Sequence, residues 1–138
     1  MNLPDTFESR IYLMFFHFSI MLIIFKLKCK EFDQKTYDYF FHCIENNLRE
    51  MGLGDVAVNK KMKDLNKILY DILLKLEPQL TQTPLKINKN LIFKYFEVLK
   101  KQKSDKIGIF EKYLTNFYNF CFELPIENMV NRSINFKN

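Results

Sequence analysis

A chain of 138 residues is long enough to bury one modest core and too short for two. Apolar residues make up 48% and charged residues 27%, which excludes a disordered chain, and three glycines with four prolines leave too little punctuation for many short strands joined by turns. The formal net charge of +5 admits an anionic partner, but Arg10, Arg49 and Arg132 are the only arginines, and Lys suits bidentate phosphate recognition less well than Arg.

At the amino end Asp5 and Glu8, three residues apart, predict a helix start capped by Asp5. The most apolar stretch of the chain follows, from Ile11 to Phe25, and ends in Lys26, Lys28 and Lys30. A membrane span wants about 20 apolar residues; this run is shorter and contains His17 and Ser19. A secretory signal would begin basic and end in small residues, whereas this run follows acids and precedes lysines. A central, mostly buried helix is the leading reading, and peripheral membrane contact is the main alternative.

The second element runs from Asp33 to Met51, with Tyr37, Phe40, Phe41, Ile44, Leu48 and Met51 at helical steps on one face. Asp33 suits its N-cap and Gly52 a left-handed C-terminal stop. The third repeats the pattern with Val58, Met62, Leu65, Leu69, Ile72 and Leu76, against Lys60, Lys61, Lys63, Asp64, Lys67 and Asp71 on its other faces. Pro78 is expected to end it. After a polar connector from Gln79 to Asn88, a fourth helix is expected from Leu91 to Lys101, and Lys100–Lys106 reads as a solvated linker or frayed helix end. A fifth, Ile109 to Phe122, offers Phe110, Tyr113, Leu114, Phe117, Phe120 and Cys121 before Pro125. The Asn-rich tail after about residue 125 is expected to be loosely held. No β-alternation is sustained, so the reading is all-α: one domain over residues 1–138, about five helices packed around the first, with an aromatic-rich core.

Fifteen phenylalanines, seven tyrosines and a single alanine, Ala57, follow A- and T-rich codons, so the aromatic surplus reads as nucleotide bias on an ordinary fold. Cys29, Cys43 and Cys121 are odd in number and lack a C-x-x-C pair. They predict neither a disulfide framework nor a zinc site, and suit a reducing compartment.

No constellation for catalysis emerges. His42 and Cys43 are chain neighbours, about 100° apart on a helix, and cannot easily aim at one metal or form a nucleophile–base pair. His17 reads as a hydrogen-bonded core histidine. The carboxylates lie among lysines as solvated or i,i+4 pairs, and Gly52-Leu53-Gly54 lacks the third glycine and preceding strand of a phosphate loop. No catalytic residue, metal or cofactor is expected.

One stretch is unusual for a plain bundle. From Asn47 to Lys63 a helix meets a two-glycine corner, Gly52-Leu53-Gly54, where Asp55 can cap a new Lys-studded helix. Leu48-Arg49-Glu50-Met51-Gly52-Leu53-Gly54-Asp55, followed by Val58-x-Lys60-x-x-Lys63, closely resembles the motif of the ubiquinol–cytochrome c chaperone family. The likeness extends to Tyr70, and back to Leu3-Pro4-Asp5-Thr6-Phe7-Glu8-x-Arg10 and the helix holding His17. It covers roughly the first half of the chain; beyond Glu77 only a compatible helical pattern remains. The first helix is Phe-rich where the family's is usually Leu-rich, and the carboxy-terminal third is diverged.

The resemblance implies a non-catalytic assembly factor. Mitochondrial members bind newly made cytochrome b, near the ribosome and with a small partner protein, and help build ubiquinol–cytochrome c reductase. The acidic first residues do not resemble a mitochondrial presequence, so a bacterial-type domain in the cytoplasm, at the inner face of the membrane, is expected. Its partners would be cytochrome b or its nascent chain, with ribosome and peripheral membrane contacts and no DNA. Arg49, Glu50, Asp55, Lys60, Lys61 and Lys63 would line a polar surface beside an aromatic groove for the client. Alternatively Arg49, Glu50 and Asp55 only pair with nearby lysines and cap the junction. The competing functional readings are a basic helical RNA- or ribosome-binding protein, and a membrane-surface protein anchored by the first helix.

Overall fold

The apolar run near the amino end becomes a single helix, α1 (Phe7–Leu27), and the rest of the chain is arranged around it. The computed structural model describes residues 6–80, 87, 89–97, 105–133 and 136. Chain order continues with α2 (Gln34–Glu50), α3 (Asp55–Leu80), α4 (Lys89–Tyr95), α5 (Asp105–Glu123), a 3-10 turn at Ile126–Asn128, and α6 (Met129–Ser133). No strand occurs among the described residues, so the expected all-α class holds, with a helix number close to five.

Thr6 caps α1, its hydroxyl accepting from the Ser9 amide at 3.2 Å. The expected cap, Asp5, lies outside the described residues. Thr6 has the same capping chemistry one residue later, and Glu8 still faces the positive end of the dipole. With 21 residues, α1 is long and apolar enough to cross a membrane by length and composition. Shortness therefore does not exclude a span, because the helix continues past both ends of the apolar run. What places α1 at the centre is burial: Ile11, Phe15, Phe16, Phe18, Ile20, Ile23 and Ile24 are all enclosed, and α3 and α5 pack against it. An element apolar all round is satisfied only when covered on all sides.

The phenyl rings supply that cover. Phe16 meets Phe96 at 5.7 Å and, edge-on, Phe110 at 6.1 Å, joining α4's end and α5 to α1. Phe18 stacks on Phe40 of α2 at 4.2 Å and meets Phe32 edge-on at 5.4 Å. Such offset and edge-to-face pairs are the favoured aromatic geometries. These rings therefore fill the core rather than an exposed groove, while Tyr39, Tyr70 and Phe122 stay exposed.

Two of the helix ends share one device. Lys30 N–H bonds Phe25 O at 2.9 Å and Cys29 N–H bonds Lys26 O, with Cys29 at φ 54. Leu53 N–H bonds Leu48 O and Gly52 N–H bonds Arg49 O, with Gly52 at φ 91. Both are Schellman closures, and the second is the stop expected at Gly52. Asp33 caps α2 as expected, accepting from the Lys35 and Thr36 amides.

α3 buries Val58, Leu65, Leu69, Ile72 and Leu76, with Met62 half-buried, as its period requires. It does not end at Pro78, which lies inside it. The proline removes one amide, the usual partner of the Leu74 carbonyl, at a turn whose Leu74 is on the solvent side.

α4 runs to Tyr95; Phe96 enters the core while its amide still bonds the Ile92 carbonyl at 2.9 Å, and Glu97 is again helical. The expected end at Lys101 lies outside the described residues, as do residues 98–104 with most of the lysine linker. α5 begins at Asp105, four residues before the expected start, so Lys106 is helical rather than linker. Its C-terminus is closed from α1: Lys28 Nζ donates to Phe122 O at 2.7 Å and Leu124 O at 3.0 Å. After Pro125, Met129 is fully buried and Phe136 sets its ring 5.4 Å from Phe117 and from Phe120.

Candidate functional site

The two-glycine corner between α2 and α3 is held from below by Leu48 and Val58, both buried. Gly52 turns the chain in the left-handed region, and the Gly54 carbonyl accepts the Val58 amide at 2.9 Å to start α3. Gly54 therefore stands at the N-cap, and Asp55 is the first helical residue rather than the cap. Its carboxylate is free to face back across the corner.

It meets Arg49. The guanidinium bridges Asp55 and Glu45, the latter at 2.9 Å one turn earlier on α2. The hydrogen bonds it donates to Asp55 first, and then to Glu45, raise the Arg49 pKa above its ordinary value. This fork spans the corner and holds α2 against the first turn of α3. The alternative expectation has Arg49, Glu50 and Asp55 pairing with nearby lysines; Arg49 and Asp55 instead pair with each other, and Arg49 also with Glu45.

The six residues singled out in sequence do not form one continuous surface. Arg49, Glu50 and Asp55 ring the corner. Lys60 and Lys63 are exposed on α3, while Lys61, about 100° round the helix from Lys60, is half-buried on another flank. What the periodicity missed is the apolar content of the corner. Met51, expected on the inner face of α2, is 58% exposed; Leu53 is 37% exposed and Val56 is 85% exposed. Met51 leaves the inner face because the helix ends there, and the sequence hint was apolar residues set among turn glycines.

Two half-buried polar contacts between helices lie elsewhere. His17 on α1 puts Nδ1 2.7 Å from the Leu13 carbonyl and Nε2 2.7 Å from the Tyr113 hydroxyl of α5. A carbonyl only accepts, so Nδ1 carries the proton and Tyr113 donates to Nε2. Burial lowers the His17 pKa, against a smaller opposing effect of the Leu13 bond. This is the satisfied core histidine expected.

On α3, Asp71 accepts from Lys94 at 2.8 Å, from the Tyr95 hydroxyl, and from Lys75 at 2.9 Å. Burial alone would raise the Asp71 pKa, but the hydrogen bonds from Lys94, Tyr95 and Lys75 hold it well below the carboxylate range. Both contacts hold helices together.

His42 and Cys43 do not converge: His42 is exposed beside Asp38, Tyr39, Phe41 and Glu45 in a shallow open hollow. No group of three or more metal-ligating side chains occurs among the described residues. Burial pushes the Cys121 thiol up to about 12, which makes it a poor nucleophile.

The corner that distinguishes this bundle lies within a longer match. A family model described as ubiquinol-cytochrome C chaperone matches residues 1–105. The chain belongs to the ubiquinol–cytochrome c chaperone family. Family likeness thus reaches past Glu77 and runs through α4 to the first residue of α5. No curated protein and no solved structure gives a significant match to the chain. Membership supplies an assembly-chaperone role with a protein client.

Proposed function

We propose that this protein is a non-catalytic assembly factor that holds newly made cytochrome b while ubiquinol–cytochrome c reductase is built. The observation that carries the reading is the α2–α3 corner. There Met51, Leu53 and Val56 stand in solvent beside a guanidinium already fixed between two carboxylates. Exposed apolar side chains rimmed by charge mark protein contact sites. A client segment leaving the ribosome or awaiting haem is itself apolar, and would cover these three side chains while its polar ends meet Glu50 and the Arg49–Asp55 fork. The protein acts in the cytoplasm, at the inner face of the membrane where such a client is inserted.

The test is a deletion strain. Its membranes are read by reduced-minus-oxidised spectra for cytochrome b and by native gels for the reductase. Selective loss of both, restored by the wild-type gene and not by Met51→Ser with Val56→Ser, is the expected result. Arg49→Glu should weaken rescue, and Arg49→Glu combined with Asp55→Lys, which rebuilds the pair reversed, should recover part of it. Normal cytochrome b and normal reductase in the deletion strain overturn the reading.

A further inference from the structure

On α5, Tyr113, Phe117 and Phe120 follow one another at steps of four and three, so their rings share one flank of the helix. That flank is stiffened from α1. The Tyr113 hydroxyl bonds His17 at 2.7 Å, and the His17 ring meets Phe117 at 4.6 Å in an edge-to-face pair. Phe117 is buried, whereas Tyr113 and Phe120 are half-buried. Into this three-ring slot the chain puts a side chain of its own. The Phe136 ring lies 5.5 Å from Tyr113, 5.4 Å from Phe117 and 5.4 Å from Phe120. It is itself half-buried, and among the described residues no hydrogen bond reaches it. Met129 is fully buried and anchors α6 independently of that ring. Phe136 is therefore held by ring contacts alone, on a mount that does not depend on it.

We infer that the Tyr113–Phe117–Phe120 slot is a binding site for a phenylalanine side chain of an apolar client segment, and that Phe136 is its exchangeable plug. The ring already seated there sets the chemistry of the occupant: the slot holds a phenyl group at the separations that aromatic pairs favour. In naming where the client inserts a ring, the inference rests on the assembly-factor reading. His17 fixes two of the three rings from behind, so the slot needs little ordering when one ring replaces another. The incoming ring restores the contacts that the outgoing one loses. What favours the plug is its tether, which holds it at an effective concentration on the order of millimolar. A lone side chain does not overcome that advantage, but an apolar segment with further contacts of its own does. Phe136 thus shields three rings from water while no client is bound and yields to a segment with more apolar surface. The slot lies beyond residue 105, where the family match ends, so residues outside the family region supply it.

The probe is a fluorescein-labelled apolar peptide with polar flanks that carries one phenylalanine. It is compared by anisotropy with a twin that has alanine in that place. Phe136→Ala removes a half-buried ring and should leave helical circular dichroism and cooperative melting intact. It should bind the phenylalanine peptide at least about tenfold more tightly than the wild-type chain does, because no tethered ring has to be displaced. The alanine twin should gain little. Adding Phe120→Ala, which takes one wall from the slot, should cancel the gain. The chain has no tryptophan, so Phe136→Trp reports the plug directly. Its emission should be blue in the free protein and shift to the red as the phenylalanine peptide is added. Equal affinity of the wild-type and Phe136→Ala chains for that peptide overturns the inference, as does an equal gain with the alanine twin. Saturation of the Phe136→Trp chain with peptide and no spectral shift overturns it too. The assay contains neither cytochrome b nor reductase, so such a failure strikes the slot alone. A normal deletion strain instead strikes the client's identity and leaves the ring exchange standing.

Discussion

Cys29 and Gly52 hold the same position in two copies of one helix-ending motif, each with positive φ. A β-carbon there costs on the order of 1 kcal/mol relative to glycine. Cys29→Gly should therefore stabilise the fold by about 1 kcal/mol, and Gly52→Ala should destabilise it by a similar amount, both read from urea midpoints. An added Cβ at Gly52 meets no atom within 4 Å, so the cost there is purely conformational. Gly54 has neither positive φ nor a crowding neighbour, but it stands at the α3 N-cap, where Ala is poorer than Gly, so Gly54→Ala should cost about 0.5–1 kcal/mol through the cap alone. The two glycines thus look alike in sequence and differ in physics. His17 gives a second residue-scale test. Burial lowers its pKa below the ordinary 6.5, so the unfolded chain binds the proton more readily than the folded one. Its contribution is present above about pH 6.5 and is lost as pH falls toward the native value, with a slope of at most about 1.4 kcal/mol per pH unit. His17→Gln keeps an acceptor for Tyr113 and removes the titration. Urea midpoints measured between pH 7 and pH 5 should fall less for this variant than for wild type.

Among the elements, α4 is the one whose attachment rests most on polar chemistry. It has seven residues and buries Leu91 and Ile92, too short to be stable by itself. Lys94 and Tyr95 at its end both donate to Asp71 of α3. Asp71→Ala leaves the half-buried Tyr95 hydroxyl without its acceptor, at a cost of about 1–3 kcal/mol. The effect should be local: amide hydrogen exchange should speed up across residues 89–96 and much less in α1. Lys75→Ala, which removes an exposed i,i+4 pair with Asp71, should cost no more than about 0.5 kcal/mol. This division also explains which elements are legible in sequence. α2 and α3 carry apolar residues at strict helical steps, and their inner faces, the Asp33 cap and the Gly52 stop follow from local chemistry. α4 is legible as far as Phe96, which is in phase with Ile92, bonds its carbonyl as a further helical turn would, and enters the core; the expected end at Lys101 lies outside the described residues. The start of α5 reads too late because Asp105 and Lys106 look like linker. The candidate corner is legible in its charges but not in its apolar residues, since Met51 and Val56 are outward only because one helix stops and the next begins between them.

For the whole molecule, family likeness and folding unit have different limits. The family match ends at residue 105, yet α1 is covered partly by α5, which lies almost wholly beyond it. Phe110, Leu114, Phe117, Tyr118, Cys121 and Met129 are all buried, and Tyr113 supplies the hydroxyl that satisfies His17. At about 1.5–3 kcal/mol for each large apolar side chain, these residues contribute on the order of 10 kcal/mol. That is comparable to the entire net stability of a typical domain, about 5–15 kcal/mol. A chain cut after residue 105 should therefore fail to fold, although it contains every residue the family model matches. Removal of α5 exposes Phe16 and leaves Nε2 of His17 without its donor, so the shortened chain should expose apolar surface, bind a hydrophobic dye and aggregate on gel filtration. Supplying residues 105–138 as a separate peptide should restore helical circular dichroism and cooperative melting. A cooperative, monomeric 1–105 fragment would mean instead that α1 finds its cover within the family region alone.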